Sequence, residues 1–461
     1  MQHIHQNPSL SEIQTRTLDP GSILGRHGLK GSVSELLQWL VLGAEQVGDS
    51  IYLGGRGSPV LLGLGRLALD WDEVLTAQFA HDAVSSRWPQ AACGLVGILS
   101  YDDLACLSYR ESVEVQREFK PDLSRVWAIT TGLQVDAGRQ VVHGVWPAHL
   151  RAASLARIDD LMERAAARAV RDSGGKNLPQ EWADWEPACS AEVTDDAYLE
   201  RAAKVIDLIR DGRFYQLNLL RFFELSGGAP QGWPVNRIEK VGGSWSAMID
   251  IDDGVRVTSL SPEQFISISG ERIETFPVKG TIARDADPHR DAANARKLLE
   301  SPKDLAELHM IVDLMRNDFH RICQRGSVSV PVAQDVRSHA NVHHLHAHVT
   351  GKLNPGIDLA GLIGAVCPAG SITGVPKLEV IKSISGLEGR ARGYHMGHAF
   401  HWRFDGTFDS SVLIRTMVSK SNGTFELAVG SGIVVHSDPA AEMAEITAKA
   451  RVATSPVKRL N

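Results

Sequence analysis

Apolar residues recur at helical spacing in three segments of the C-terminal half of the chain. The first begins after Thr194, a residue type that caps helix N-termini, and ends at Gly212, a residue type that stops helices. The second covers Ser301–Arg321, with a proline in its first turn, and the third begins at Asp438-Pro439. The pattern therefore predicts three long amphipathic helices.

Short apolar runs bounded by glycine or polar residues indicate strands before and between these helices. They cover Cys93–Tyr101, Gln140–Trp146, Phe214–Phe223 and Ala428–His436. Because strands and helices follow one another without strict alternation, the fold class predicted is α+β.

One composition shift predicts a boundary within the chain. Asp172–Pro187 is polar and rich in Gly, Pro and Trp, which is typical of a connection between regions. We therefore divide the chain into an N-terminal part, 1–190, and a C-terminal part, 191–461.

Composition narrows the class of protein. The 461-residue chain has a formal charge of −7, which argues against nucleic-acid binding. Its five cysteines lack C-x-x-C spacing, so neither a disulfide framework nor a cysteine zinc site is indicated. No signal peptide pattern opens the chain and no apolar run is long enough to cross a bilayer. We expect a soluble cytoplasmic protein.

Carboxylates recur on one face of two of the predicted helices. Glu442, Glu445 and Lys449 stand at i, i+3 and i+7, and Asp304 and Glu307 stand at i and i+3. Either pair could be a solvated acidic face. Glycine-rich segments nearby favour the alternative, a pocket in which Mg²⁺ relieves the repulsion between carboxylates.

A histidine row occupies the segment 343–348. On a strand, His344, His346 and His348 would share one face, so a zinc site is conceivable. The alternative is one active-site histidine with exposed neighbours.

Several long motifs resemble those of chorismate-utilising enzymes, in the same order along the chain. They are Gly94–Asp102 (GLVGILSYD), Ser261-Pro262-Glu263, Pro277–Thr281 (PVKGT), Lys303–Asp318 (KDLAELHMIVDLMRND), Gly370–Lys377 (GSITGVPK), Asp405–Thr416 (DGTFDSSVLIRT) and Gly430–Lys449 (GSGIVVHSDPAAEMAEITAK). The resemblance implies one large α/β sandwich of two subdomains around a deep central cleft. In it, 1–190 would resemble the N-terminal part of anthranilate synthase component I, and 191–461 would be the chorismate-binding catalytic region.

The resemblance also implies roles for individual residues. Glu307 and Glu445, with Glu442 close by, would hold Mg²⁺, and the metal would bind the ring carboxylate of chorismate. Arg415 would clamp the carboxylate of the enolpyruvyl group, since its planar fork suits two-point contact.

The remaining implied residues surround the anion and the departing hydroxyl. Backbone amides near Gly430 and Gly432 would complete the anion site with the side chains of Thr281, Ser371 and Lys449. His344 and Glu263 would lie near the departing hydroxyl, which needs a proton to leave.

Two positions distinguish among the siblings of this family. Gln216 stands where relatives that add water resemble each other in having a lysine base, and a neutral amide favours ammonia as the nucleophile. Lys279 stands where anthranilate synthases typically have alanine. In aminodeoxychorismate synthase component I, which the chain resembles here, such a lysine attacks C2 before ammonia enters at C4. A surface lysine is the alternative interpretation.

Some positions depart from the family pattern. His395 replaces a tyrosine that touches the substrate carboxylate, and Tyr394 lies one residue early, where a strand would point it the other way. His395 could donate to the same carboxylate in a pH-dependent way. Phe400 and His401 replace a Gly-Tyr pair, and Ala369 replaces a glycine. We expect these changes to alter the pocket.

The source of ammonia is expected to be a separate glutamine amidotransferase subunit. None of the five cysteines lies in the tight Gly-flanked elbow that a glutaminase nucleophile needs. Three functions stay open: C4 amination of chorismate toward p-aminobenzoate and folate, C2 amination to anthranilate or aminodeoxyisochorismate, and chorismate binding without turnover.

Overall fold

The computed structural model describes most of the chain. The described residues are 13–18, 40, 51–54, 60–79, 93–109, 123–136, 141–147, 150–173, 185–230, 232–251, 254–338, 342–403, 405–420 and 422–454. Most of the polar connection before residue 187 therefore lies outside the described residues.

Helices and strands are mixed along the chain, as the sequence predicts for an α+β fold. The helices are α1 (Trp71–Leu75), α2 (Tyr101–Ser108), α3 (Arg151–Ser173), α4 (Asp195–Arg210), α5 (Trp233–Val241), α6 (Pro288–Leu299), α7 (Pro302–His320), α8 (Leu359–Val366), α9 (Gly370–Thr373), α10 (Lys377–Glu388) and α11 (Pro439–Thr454). The strands are β1 (Ile13–Leu18), β2 (Ile51–Leu53), β3 (Val60–Ala68), β4 (Leu95–Leu99), β5 (Arg125–Asp136), β6 (Val141–Pro147), β7 (Ala188–Ala191), β8 (Gln216–Ser226), β9 (Ala247–Asp250), β10 (Arg256–Ser259), β11 (Gln264–Ser269), β12 (Arg272–Thr275), β13 (Val278–Ala283), β14 (Ser329–Ser338), β15 (Val342–Lys352), β16 (Gly374–Val375), β17 (His398–Trp402), β18 (Phe408–Val412), β19 (Thr416–Ser419) and β20 (Phe425–Val434).

The strands form one continuous antiparallel sheet with two arms. The first arm runs β7–β8–β20–β19–β10–β9–β2–β3. Through β3 it joins the second arm, β5–β4–β17–β18–β11–β12–β15–β14. Two of these pairs, β2 with β9 and β4 with β17, join strands before residue 190 to strands after it.

An apolar cluster fills the space between the two arms. It contains Ile51 and Ile249 from the first arm and Val96 and Ala399 from the second, each at most 2% exposed. Burial of such side chains is worth about 1.5–3 kcal/mol each, so the arms are held face to face. Helices cover the arms: α4 and α11 pack on β20, and α7 packs on β15. This is the sandwich that the family resemblance implies.

The three helices with the clearest apolar spacing are confirmed. Thr194 caps α4, accepting a hydrogen bond from the Ala197 amide at 3.2 Å, and Gly212 follows that helix with φ of 75°. Ser301 caps α7 in the same way through the Asp304 amide at 3.3 Å. The strand boundaries differ by a few residues from the prediction, since ladder pairing and not apolar content sets where a strand ends.

A buried ion pair joins α7 to the start of α10. The Lys377 ammonium donates to Asp318 Oδ2 and to the Val366 carbonyl, each at 2.6 Å. The two charged side chains are 3% and 7% exposed. Each charge is therefore compensated where water does not reach it, and removal of one partner leaves the other uncompensated.

We expect Lys377→Met to destabilise the protein by about 3–5 kcal/mol, because it leaves the buried Asp318 carboxylate without its cation. The free energy of unfolding, measured by urea titration, checks this. Lys382→Met is the matched control on the same helix, since Lys382 pairs with Glu379 on the surface and an exposed pair contributes about 1 kcal/mol or less. Equal losses in the two variants would contradict the role given to the buried pair.

Candidate active site

Charged side chains from both arms converge on one region. Their electrostatic interactions centre on Glu263 and Glu307, and one neutral hydroxyl, that of Ser371, joins them through a hydrogen bond to Glu263. The set comprises Glu263, Lys279, Glu307, Ser371, Arg415, Glu445 and Lys449. We call this set the charged cluster. Because β13 pairs with β15 of the second arm, and Arg415 and Lys449 lie next to β19 and β20 of the first, the cluster lies where the arms face each other.

Glu263 is the acidic centre of the charged cluster. It lies just before β11, where its amide donates to the Ser261 hydroxyl at 3.2 Å. Its Oε1 accepts a hydrogen bond from the Ser371 hydroxyl at 3.0 Å. Burial raises the pKa of Glu263, against the opposing effects of Lys279, the Ser371 hydroxyl, Arg415 and Lys449. The carboxyl therefore binds a proton more readily than an ordinary glutamate, as a general acid requires.

Lys279 is carried into the cluster by a bulge in β13. Lys279 pairs with Leu345 and Thr281 with His344, so two steps on β13 oppose one on β15. Gly280, between them, has φ of 59°, and a Cβ there would lie 2.7 Å from Leu298. Lys279 is half-buried and interacts electrostatically with Glu263 and Glu307.

Glu307 is the first of the three glutamates expected to bind metal. Burial raises the pKa of Glu307; Lys279 and Lys303 oppose this, while Asp304 and Glu445 add to it through like-charge repulsion. Such repulsion fits a pair of carboxylates that would share a cation.

Glu442 and Glu445 point in different directions from α11. The Glu445 carboxylate pairs with Lys449 at 2.6 Å and is 46% exposed. Glu442 is buried, and its two oxygens accept hydrogen bonds from the Ser431 and Ser437 hydroxyls. In the described part of the chain, no group of three or more His, Cys, Asp or Glu side chains is arranged to hold a metal ion. Glu307 and Glu445 interact as like charges, and such a carboxylate pair would suit Mg²⁺ if substrate and water supplied the other ligands.

Two further cations of the cluster, Arg415 and Lys449, lie beside the first arm. Arg415 directly precedes β19 and has φ of 51°, a strained conformation for a non-glycine residue. Burial lowers the pKa of Arg415 and Glu263 opposes this. The Lys449 ammonium donates to the Gly430 carbonyl at 3.0 Å. Arg415 and Lys449 therefore offer positive charge where an anionic substrate would bind.

The glycines of β20 make room for polar side chains of β8. A Cβ on Gly430 would lie 2.6 Å from the Asn218 amide, and one on Gly432 would lie 2.9 Å from Gln216 Nε2. Gln216 is fully buried, and neither polar atom of its amide has a hydrogen-bond partner among the described residues.

The histidine row has separate partners along β15. His344 Nδ1 shares a hydrogen bond of 3.0 Å with the Thr281 hydroxyl, and His343 Nε2 lies 2.9 Å from Asp291. His346 contacts a backbone carbonyl, and His348 Nε2 lies 2.8 Å from Glu274. Their rings are thus engaged individually, and His344 alone lies beside a residue expected in the anion site.

His395 does not join the charged cluster through its described contacts. Its Nε2 lies 3.1 Å from Glu426 Oε1, and its ring meets the Phe222 ring edge-on at 5.7 Å. Its Nδ1 is buried and finds no hydrogen-bond partner in the described part of the chain. Contact with a substrate carboxylate therefore stays a prediction for this residue. The prediction that a strand sets the direction of Tyr394 is wrong, because residues 393–396 form a turn before β17. The Tyr394 hydroxyl donates to the Leu123 carbonyl at 2.7 Å.

Two of the other departures from the family pattern, Phe400 and His401, lie in the core between β17 and β4. The Phe400 ring fills the space that a Cβ on Gly97 would take, 2.1 Å away. His401 Nε2 donates to the Cys93 carbonyl at 2.7 Å, and burial lowers the pKa of His401 to about 4. The described contacts of Phe400 and His401 are thus core contacts and do not reach the charged cluster.

Sequence patterns missed the ion pair behind the site. Arg392 and Glu388 are both at most 4% exposed, and the guanidinium donates to both carboxylate oxygens, at 2.9 and 2.6 Å. Arg392 also donates to the Ile372 and Asn218 carbonyls at 2.8 and 2.6 Å. The spacing of four between Glu388 and Arg392 is a signal, but it is indistinguishable in the sequence from a surface pair.

Two structural features concern disulfide bonds and membrane-spanning helices. All five cysteines lie in the described residues and none is in a disulfide. No described helix combines the length and the apolar character needed to cross a membrane.

The chain belongs to the chorismate binding enzyme family, whose model matches residues 60–455. Its fold is also found in anthranilate synthase component I from Streptococcus pneumoniae TIGR4, with a TM-score of 0.65 at 21% identity over 98% of this chain and 95% of that one. The fold and the charged cluster thus occur in a chain of this family.

Two relatives show clear sequence similarity to the chain. The chain is 39% identical to aminodeoxychorismate synthase component 1 of Klebsiella aerogenes over 259 residues, which are 56% of this chain and 57% of the relative. It is 31% identical to an anthranilate synthase component 1 of Haloarcula marismortui over 386 residues, 79% of this chain and 76% of the relative. The first match therefore spans little more than half the length of that relative.

We expect Glu426 to stabilise the fold in a pH-dependent way. Although burial raises the pKa of Glu426, its bonds to His395 and Arg390 lower it from 4.5 to about 2. A depressed pKa in the folded state means that this stabilisation is present above about pH 4.5 and is lost as the pH falls toward 2. The difference in free energy of unfolding between wild type and Glu426→Gln should shrink across that window. A difference in free energy of unfolding that stays constant with pH would contradict this role of Glu426.

Proposed function

We propose that the protein is component I of an aminodeoxychorismate synthase, converting chorismate and ammonia to 4-amino-4-deoxychorismate. One observation carries this proposal: Lys279 interacts electrostatically with both Glu263 and Glu307, within a cluster that also holds Arg415 and Lys449. A surface lysine would not have two buried or half-buried glutamates as its electrostatic neighbours. The identity with the Klebsiella aerogenes relative supports the same proposal.

The proposed reaction has two displacement steps. The Lys279 amine bonds to C2 of chorismate while the C4–oxygen bond breaks, and Glu263 gives the departing hydroxyl a proton so that it leaves as water. Ammonia then bonds to C4 and the C2–nitrogen bond breaks, which returns Lys279 as a free amine. The net change is chorismate plus ammonia to 4-amino-4-deoxychorismate plus water, and one hard displacement becomes two easier ones.

The substrate is a dianion and needs positive charge on both carboxylates. Arg415 and Lys449 are suited to the enolpyruvyl carboxylate and its surroundings. Glu307 and Glu445 would hold Mg²⁺, which would neutralise the ring carboxylate when bound. Glu442, held by two serine hydroxyls, would fix the face of α11 that carries Glu445. His344, Thr281 and the amides of Gly430 and Gly432 would line the rest of the substrate site.

Ammonia is the proposed nucleophile, and a separate glutamine amidotransferase subunit is its proposed source. Gln216 is a buried neutral amide at the position where water-adding relatives have a lysine base, so it cannot deprotonate water. Burial raises the pKa of the Cys93 and Cys367 thiols to about 12, which leaves neither as a thiolate nucleophile. The enzyme would act in the cytoplasm, on the route to p-aminobenzoate and folate.

A second candidate is amination at C2, giving anthranilate or aminodeoxyisochorismate. The match to the Haloarcula marismortui relative, which covers more of both chains, favours it. A C2 enzyme has no use for a nucleophilic lysine at position 279, so the two candidates differ in their dependence on Lys279.

We expect the purified chain, given chorismate, Mg²⁺ and ammonium at alkaline pH, to form a product aminated at C4. Product mass and NMR identify the ring carbon that carries the nitrogen, and reactions without ammonium or with a chelator are the controls. A product aminated at C2 would replace the proposal with the second candidate. No product, even with a glutaminase subunit added, together with thermal stabilisation by chorismate, would indicate a protein that only binds chorismate.

We expect Lys279→Ala to lower C4 amination by about three orders of magnitude, on the scale of losing a catalytic group. Lys279→Arg should be equally inactive, because arginine keeps the charge opposite Glu263 and Glu307 but is always protonated. Initial rates of C4-aminated product check both. Lys303→Ala removes a neighbouring exposed lysine of Glu307 and should keep near wild-type rates. Activity of Lys279→Arg close to wild type would show that the lysine acts only through its charge.

A further inference from the structure

The Ser371 hydroxyl is directed at a carboxyl group of the cluster. The sequence resemblance assigns Ser371 to the anion site, where it would touch substrate. In the structure its hydroxyl instead donates to Glu263 Oε1 at 3.0 Å. The carbonyl oxygen of a protonated carboxyl accepts hydrogen bonds more strongly than its hydroxyl oxygen, so this bond favours the proton on Oε2.

The backbone around Ser371 is fixed by several unrelated elements. Ser371 lies in α9, and a Cβ on Gly370 would lie 2.0 Å from Leu314 of α7, so the two helices meet closely. The next carbonyl, of Ile372, accepts hydrogen bonds from Arg392 at 2.8 Å and from the Asn218 amide at 3.0 Å. The hydroxyl is therefore presented to Glu263 from a rigid support, which is what a positioning group requires.

Glu263 itself is fixed at the backbone and surrounded by cations. The Ser261 hydroxyl accepts from its amide, and the Val412 amide donates to its carbonyl at 3.4 Å. The charged groups that face its carboxyl are Lys279, Arg415 and Lys449. A carboxyl that rotated toward these cations would form an ion pair with them and lose its value as an acid, so a bond that fixes its rotation has a catalytic consequence.

We propose that Ser371 is a positioning residue: its hydroxyl fixes the rotation of the Glu263 carboxyl and thereby directs the acidic proton to the departing hydroxyl of the substrate. This inference rests on the proposed role of Glu263 as general acid. It does not depend on whether nitrogen enters at C4 or C2, because both reactions expel the same hydroxyl.

The sign of the expected pH effect follows from the charge state that the hydrogen bond favours. A hydroxyl that donates to a carboxylate stabilises the charged form and lowers its pKa. Its removal raises the pKa of Glu263, so the protonated acid persists to higher pH. The basic limb of the pH profile of kcat, which reports the acid in the substrate complex, should move upward.

The test compares Ser371→Ala, Ser371→Thr and a control serine in the full chain, using whichever aminated product the wild type forms. We expect Ser371→Ala to lower kcat about 10- to 100-fold with little change in KM, and to move the basic limb up by about one pH unit. Ser371→Thr, which keeps the hydroxyl, should restore both. Ser383→Ala removes a hydroxyl of α10 that donates to the Glu379 carbonyl, and it should change neither.

Three results would overturn the proposal. An unmoved basic limb in Ser371→Ala would show that the hydroxyl does not govern the acid. Equal losses in the Ala and Thr variants would indicate a packing role. A raised KM with kcat preserved would show that Ser371 binds substrate, as the resemblance implies.

A second measurement keeps the inference independent of turnover. The protonated carboxyl band of Glu263, assigned by its loss in Glu263→Gln, can be titrated by infrared spectroscopy in protein without substrate. Its midpoint should be higher in Ser371→Cys than in wild type, because a thiol keeps the volume but donates weakly. If the wild type shows no turnover but the midpoint is still higher in Ser371→Cys, the proposed function is refuted and the Ser371–Glu263 coupling is kept. Identical midpoints in the two proteins would refute the coupling itself.

Discussion

The buried Arg392–Glu388 ion pair is the constraint on which the site depends. Its guanidinium is shared between the Glu388 carboxylate and the carbonyls of Ile372 and Asn218, and Glu388 also accepts from the Leu220 amide at 3.0 Å. It thereby ties β8, α9 and α10 together at a place that water does not reach. Two buried charges are costly unless every donor and acceptor is satisfied, and removing one partner of such a pair costs about 3–5 kcal/mol. The rigid support behind Ser371, and so behind Glu263, follows from this pair.

The site in front of that support is a balance of opposite charges in a half-buried space. Glu263 and Glu307 are raised in pKa by burial, and Lys279 opposes both shifts. Lys279 and Glu263 thus belong to one electrostatically coupled group, as the proposed nucleophile and acid of a single substrate site require. Arg415 and Lys449 supply the positive charge that a net-acidic chain lacks as a whole.

The fold was largely predictable from the sequence, because its helices carry strong local signals. Much of the site was not predictable in this way, because its contacts join residues far apart in the chain. Thr194, Ser301 and the proline-led α11 mark helix starts that need no tertiary information. The convergence of Glu263, Lys279, Glu307 and Arg415 came from motif resemblance, not from any spacing in the chain. Nothing local indicates that Glu442 is held by two serines, or that Phe400 fills the space above Gly97. Such partners lie on strands far apart in sequence, and only the register of β17 with β4 brings the last pair together.

The central claim is that Lys279 is a nucleophile, and the most direct measurement is the mass of the protein mixed with chorismate and Mg²⁺ in the absence of ammonia. Under these conditions the first displacement can occur and the second cannot. The account predicts an adduct with the mass of chorismate less one water, mapped by peptide sequencing to Lys279 and discharged when ammonium is added. Formation of a C4-aminated product by a chain that never carries this adduct, or an adduct at another residue, would contradict it.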